Sequence, residues 1–208
     1  MPSRLTEPQL RVHPDAVRPS LPAGDLWVFA YGSLLWRPGF PYRQRLPARL
    51  FGYHRSLCVW SHVHRGTPAH PGMVLGLDQG GSCRGCLYRV AEGDKAAVAQ
   101  YLYAREMPTR IYHARLCPVR TDCGTQVQAL TFVVNRRDDQ YSGRLAAADA
   151  ARQIAAAAGI SGSSVDYLQQ TLAHLQQLAI HDHHLQAIAD ALPGQSQPPW
   201  PIARQPNR

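Results

Sequence analysis

Two short stretches of this chain carry side chains whose type and placement suit chemistry on a small polar molecule. The first is Glu106, which ends a stretch from Lys95 that contains neither Gly nor Pro. On a helix Glu106 would fall about 40° from Leu102 and about 80° from Val98, at the edge of the apolar stripe and in the last turn. A carboxylate there is partly desolvated and faces the negative end of the helix dipole, and both effects favour its protonated form. The expectation is a general base poised near physiological pH. A frayed helix end, with Glu106 in solvent or paired with Arg110, is the plainer alternative. The second stretch is Tyr31-Gly32-Ser33-Leu34-Leu35, which follows an apolar run beginning at Leu26. Without a Cβ, Gly32 is expected to take φ > 0 and let the backbone approach a ligand, with amides and the Ser33 hydroxyl holding an anionic group.

Other constellations carry less. Cys83 and Cys86 have the spacing of half a zinc site, and His181, His183 and His184 cluster, but a closed site needs four ligands and no second half is present. No metal is expected, and Cys86 reads more simply as a buried small residue of a strand over 84–90. Ser33 lacks the second glycine of the G-x-S-x-G elbow. Gly80 to Gly85 has the gap of a phosphate-binding P-loop, yet Cys86-Leu87 stands where Lys and Ser/Thr would be needed. Cys58 with His54 or His62 remains a possible nucleophile pair.

The elements that must position these residues follow from periodicity. Strands are expected over 26–31, 48–60, 73–78, 84–90, 111–119 and 127–134, joined by Gly/Pro turns. One helix over 95–106 interrupts them, with Asp94 as N-cap and Pro108 as its stop. Helices follow over 145–158, with Gly159 as a C-terminal stop, over 166–180 and over 182–192. The whole is an α+β arrangement, a sheet or barrel core with an inserted helix and a helical C-terminal layer. Residues 1–24 read as an extended arm, 25–192 as the domain, and 193–208 as a proline-rich tail.

The 208 residues carry a formal charge of +8 and five cysteines. The arginines are dispersed and not interleaved with aromatics, which suits an anionic small substrate better than RNA. No apolar run is long enough to span a bilayer, and no secretory core is legible near the N-terminus. The odd cysteine count argues against a disulfide framework. A cytoplasmic protein is expected, with a small-molecule partner and neither nucleic acid nor membrane.

Taken together, Tyr31-Gly32-Ser33-Leu34 after an aromatic strand and Arg105-Glu106 after Tyr101-Leu102 resemble the ChaC-type γ-glutamylcyclotransferases. His64-Arg65-Gly66, Pro71-Gly72, Gly85-Cys86-Leu87-Tyr88-Arg89, Tyr141 and Gly159-Ile160-Ser161-Gly162 fall in the order of that family, so the resemblance covers about residues 26–192. Ala30 stands where the family usually has Gly. The resemblance implies a mixed β-barrel core and a glutathione-specific reaction: the substrate's own amine attacks its γ-glutamyl amide, giving 5-oxoproline and Cys-Gly without a cofactor. It also implies Glu106 as the general acid/base and Ala30, Tyr31, Gly32, Ser33, Leu34 and Leu35 as the γ-glutamyl grip. Arg65 would meet a glutathione carboxylate, and Tyr141 would close the pocket. A cyclotransferase for other γ-glutamyl amines, a non-catalytic γ-glutamyl binding module and a basic RNA-binding protein are the competing readings.

Overall fold

The run Leu26–Ala30 does not alternate because the strand it forms is covered on every side. In the computed structural model, which describes residues 12–194, it is β1, with Leu26, Val28, Phe29 and Ala30 fully buried. It runs antiparallel to β3 (Gly72–Val90), from Leu26 opposite Val90 to Ala30 opposite Cys86. On its other side it runs parallel to β5 (Gln126–Val134), with Trp27 opposite Ala129 and Val28 opposite Leu130. With β2 (Gln44–Ser61) and β4 (Tyr112–Thr121) the order is β1-β3-β2-β4-β5, and the sheet closes into a barrel. The α+β expectation with a barrel core holds.

The strands expected over 73–78 and 84–90 are one strand, β3. Gly80 and Gly81 were read as a turn, but they make a bulge. Opposite Tyr53 lies Gln79 and opposite Phe51 lies Ser82, so β3 spends one more residue than β2 over the same span. Gly80 at φ 101° and Gly81 at φ 68° take backbone angles that other residues resist, and Gly52 does the same on β2 at φ 85°.

Helix α1 (Lys95–Glu106) follows β3 and buries Val98, Ala99, Leu102 and Tyr103. Its expected cap differs: Asp94 makes no side-chain cap bond, because it belongs to a 3-10 turn, Glu92–Asp94, that leads straight into the helix. The C-terminal layer contains α2 (Ala147–Ala155), α3 (Ser164–Gln177) and α4 (His183–Asp190). Ser163 and Asp182 cap α3 and α4, accepting from Asp166 N and Leu185 N. Gly159 does not stop a helix. It lies in a small hairpin of β6 (Ala158–Gly159) and β7 (Gly162–Ser163), where a Cβ would sit 2.2 Å from the Val63 carbonyl oxygen.

Residues 12–24 form neither strand nor helix and lie along α1. His13 N donates to Met107 O at 2.9 Å, and Lys95 Nζ donates to the carbonyls of Pro22 and Gly24, each at 2.9 Å. The rest of the expected arm and the tail beyond 194 fall outside the described residues. No described helix is long and apolar enough to cross a membrane.

Close approach of β1 and β3 makes a specific demand at Gly85, where a Cβ would lie 2.2 Å from the Ala30 carbonyl oxygen and 2.9 Å from the Phe29 ring. Gly85→Ala is expected to lower stability by about 1–3 kcal/mol, read as a lower urea midpoint. Gly93→Ala, where a Cβ meets nothing within 4 Å, should cost no stability.

Candidate active site

The chain leaving β1 makes a 3-10 turn, Ser33–Leu35, in which every carbonyl from Tyr31 to Leu35 is engaged. Tyr31 O accepts from Arg55 Nε at 2.6 Å, and Gly32 O from Leu35 N at 2.8 Å. Ser33 O accepts from Arg37 N at 2.9 Å, and Tyr88 Oη donates to the carbonyls of Leu34 and Leu35 at 3.1 and 3.2 Å. The first amides of the turn lie outside its own ladder, as at any helical N-terminus. The carbonyls of the segment are thus all engaged within the protein, and Ser33 is its least buried residue from Tyr31 to Leu35.

Two details differ from the sequence reading. Gly32 has φ −127°, not a positive φ. Nor does it relieve a clash: a Cβ there would meet the Leu75 Cδ1 and the Tyr167 hydroxyl at 3.6 Å, an ordinary contact. Leu34 and Leu35 are 6% and 3% exposed, and Tyr31 is also buried with its hydroxyl on Phe132 O at 2.9 Å, so these residues offer backbone and not side chains. Ala30 is fully buried and contributes through the strand backbone alone.

Glu106 comes to this turn on the last turn of α1, with its side chain 18% exposed. It pairs with Arg105, whose Nε lies 3.1 Å from Glu106 Oε1. Arg105 spreads further. Its Nη2 donates to Ser33 Oγ at 3.0 Å, and its Nη1 donates to Arg37 O at 2.7 Å and Tyr101 Oη at 3.0 Å. One guanidinium thus joins the carboxylate to the turn. Because Ser33 Oγ accepts from Arg105, its own O–H remains to donate elsewhere.

Three phenols feel the Glu106 charge. Burial pushes Tyr31 and Tyr112 well above the usual tyrosine range, and Tyr167 up to about 12, with Glu106 raising each further. They are neutral hydroxyls at working pH. Tyr112 Oη donates to Leu75 O at 2.6 Å, while Tyr167 Oη accepts from Leu75 N at 3.3 Å and so keeps a proton to give. Sequence reasoning missed Tyr112 and Tyr167 as site residues. Tyr167 was legible only as part of the apolar face of its helix, and Tyr112 as one residue of a strand.

Arg65 lies beside this cluster, half-buried, with its guanidinium 5.2 Å from the centre of the Tyr167 ring and Nη1 on Ser163 O at 3.2 Å. Ser164 Oγ donates to Arg65 O at 2.9 Å, which ties that loop to the start of α3. Tyr141 takes a different place from the one expected. Its hydroxyl donates to Asp78 Oδ2 at 2.9 Å, and Arg136 Nε holds Asp78 Oδ1 at 2.6 Å, so Tyr141 fastens the segment after β5 to β3.

Cys83 and Cys86 do not form half a metal site. Three residues apart on one strand, they face opposite sides of the sheet, and both are buried. Among the described residues no group of three or more His, Cys, Asp or Glu could hold a metal ion. Cys58 is fully buried, and its thiol is pushed up to about 12, by burial first and then by the Asp78 charge. A thiol so protonated is a poor nucleophile.

The family model described as ChaC-like protein matches residues 26–193. The chain belongs to this family. It is 34% identical to the glutathione-specific gamma-glutamylcyclotransferase of Escherichia coli over 162 residues, covering 78% of this chain and 70% of that protein. Against the mouse glutathione-specific gamma-glutamylcyclotransferase 1, identity is 33% over 211 residues, covering 94% of both chains. The crystal structure of a yeast gamma-glutamyl cyclotransferase specific to glutathione has the same fold, with TM-score 0.74 at 21% identity over 84% of this chain and all of that one.

The thiol chemistry is testable directly. Iodoacetamide at neutral pH is expected to label exposed Cys123, whose thiol pKa is lowered by hydrogen bonds from Thr121 and Thr125, and to leave Cys58 unmodified with activity intact. Peptide mass mapping reads the outcome, and loss of activity tracking alkylation of Cys58 would restore a thiol nucleophile.

Proposed function

We propose that this chain is a glutathione-directed γ-glutamylcyclotransferase that releases 5-oxoproline and Cys-Gly, with Glu106 as the proton carrier. The observation that carries the reading is Glu106 itself, a largely enclosed carboxylate tied through Arg105 to an amide-presenting turn, in a chain of the ChaC-like family. The similarity to the glutathione-specific E. coli and mouse enzymes supports the choice of substrate.

The γ-glutamyl head carries an α-carboxylate and an α-ammonium. In this reading the amides of the turn and the Ser33 hydroxyl take the carboxylate. That grip folds the γ-glutamyl arm back on itself, so that the amine reaches the γ-carbonyl carbon; positioning of this kind is worth about 7–11 kcal/mol as effective molarity. Glu106 removes a proton from the ammonium, the nitrogen forms a bond to the γ-carbon, and charge develops on the carbonyl oxygen. Turn amides and the Tyr167 hydroxyl supply donors to that oxygen. The bond to the cysteinyl nitrogen then breaks as Glu106 returns the proton to the leaving amine, which also takes up the second proton shed by the ring nitrogen and departs as an ammonium. The neutral phenols around Glu106 hold the site short of competing ions and water. In this reading Arg65 meets the glycine carboxylate of the leaving dipeptide. Five unpaired thiols suit a reducing compartment, and we place the reaction in the cytoplasm.

Glu106→Gln keeps shape and removes the base, and is expected to lower kcat by at least about 100-fold with the urea midpoint unchanged. Product analysis should give 5-oxoproline from glutathione. N-acetylated glutathione should give no turnover, because its amine is the nucleophile. Release of glutamate, or a γ-glutamyl adduct on Ser33 or Cys58, would overturn the mechanism. Faster turnover of γ-glutamyl-alanine than of glutathione would shift the substrate to other γ-glutamyl amines. Arg65→Ala is expected to raise KM for glutathione about tenfold with a smaller change in kcat.

A further inference from the structure

On the other side of Arg55 from the catalytic turn lies an open cavity of about 460 Å³ that includes neither Glu106 nor any residue of the turn. Arg49, Arg55, Arg84 and Arg144 line it together with His54, Ser82 and residues 179–184 at the start of α4. Asp182 is the one carboxylate in the lining, and it is already committed, accepting from Arg55 Nη1 at 3.3 Å and from Leu185 N at 3.1 Å. We propose that this cavity is a second binding site, for a small molecule bearing two or more phosphate charges.

Four observations converge on that chemistry. Four guanidiniums surround a space with one spent carboxylate, so the lining carries a net positive charge that a ligand of two or more negative charges would balance. Arg84 meets Asp122 only across an exposed pair at 3.5 Å, and among the described residues Arg49 and Arg144 form no ion pair. His184 also lines the cavity, with its Nε2 enclosed and without a hydrogen-bond partner among the described residues. Burial first, and then Arg144, lowers the His184 pKa, so at neutral pH this ring is a neutral imidazole that can donate one hydrogen bond beside the cations.

Size and shape narrow the class. The volume lies within the range of small-molecule pockets, so it has room for more than a single phosphate. Planar guanidinium forks match phosphate oxygens two at a time, which favours phosphate over an isolated carboxylate. The concave lining suits a compact ligand, and an extended nucleic acid would need a basic stripe that continues beyond it.

Arg55 is the floor of the cavity and stays in place, because Tyr31 O and Arg84 O accept from it at 2.6 and 2.7 Å. The test therefore spares Arg55 and uses exposed arginines. Calorimetric titration with inorganic pyrophosphate, at physiological ionic strength, is expected to give one saturable site in the full chain. Arg49→Gln with Arg144→Gln should weaken binding at least about tenfold, while Arg115→Gln, an exposed arginine outside the cavity, should leave it unchanged. Arg144→Glu, in an irregular segment where folding is not at risk, should abolish binding. The Glu106→Gln variant should bind pyrophosphate as the parent does, which separates this site from the catalytic reading. No saturable binding in the parent chain, equal affinity in the cavity variants, or tighter binding of a single-stranded oligonucleotide than of pyrophosphate would overturn the proposal.

Discussion

A parallel contact, β1 against β5, closes the sheet, and the site hangs from the strand it captures. The other pairings of the barrel are antiparallel. With β3 on one side and β5 on the other, β1 has no open edge, and Thr131 Oγ1 adds a bond to Phe29 O at 3.2 Å. The chain leaves such a strand from one position and in one direction. Its exit is therefore a rigid platform, which is what a turn must be if its amides are to meet a substrate at hydrogen-bond distance.

Two arginines hold that exit from different sides. Arg55 is 7% exposed and takes the Tyr31 carbonyl from within, with Asp182 balancing its charge at 3.3 Å. Burying a guanidinium is tolerable only because its donors are met and an opposite charge is adjacent. Arg105 holds the turn from the α1 side and carries Glu106 with it. The carboxylate and the amides belong to elements about seventy residues apart, so their relative position depends on a side chain that bonds to both. A lysine could not do this, since a single ammonium lacks the planar fork that reaches Ser33, Arg37 and Glu106 together.

The third wall comes from the C-terminal layer. Trp36, just past the turn, stacks on His174 with ring centres 5.0 Å apart and leans on Tyr167 at 6.1 Å. Ser164 Oγ accepts from Met73 N at 3.1 Å, pinning the start of α3 to the start of β3. Those contacts bring Tyr167 against Leu75 and Gly32. The α-helical layer is thus part of the site's construction, and a barrel without α3 would leave the pocket open on the side where Arg65 stands.

Much of this was legible in the residues. The unbroken apolar run at 26–30, the helix ending at Glu106 and the Gly-Ser break after β1 are local signals, because burial on all sides, helical period and turn chemistry are written into neighbouring residues. They singled out Glu106 and the turn as candidates. Local pattern also misled where one residue type serves two geometries. Gly80 and Gly81 mark a bulge and not a turn, Gly159 seats a hairpin and not a helix end, and Gly32 has no positive φ. Only the tertiary structure decided that Arg105 reaches Ser33, that Tyr112 and Tyr167 meet at Leu75, and that Tyr141 serves Asp78. Those contacts join residues far apart in the chain, and no periodicity encodes which distant side chain will arrive; closure of the barrel and docking of α3 set the distances.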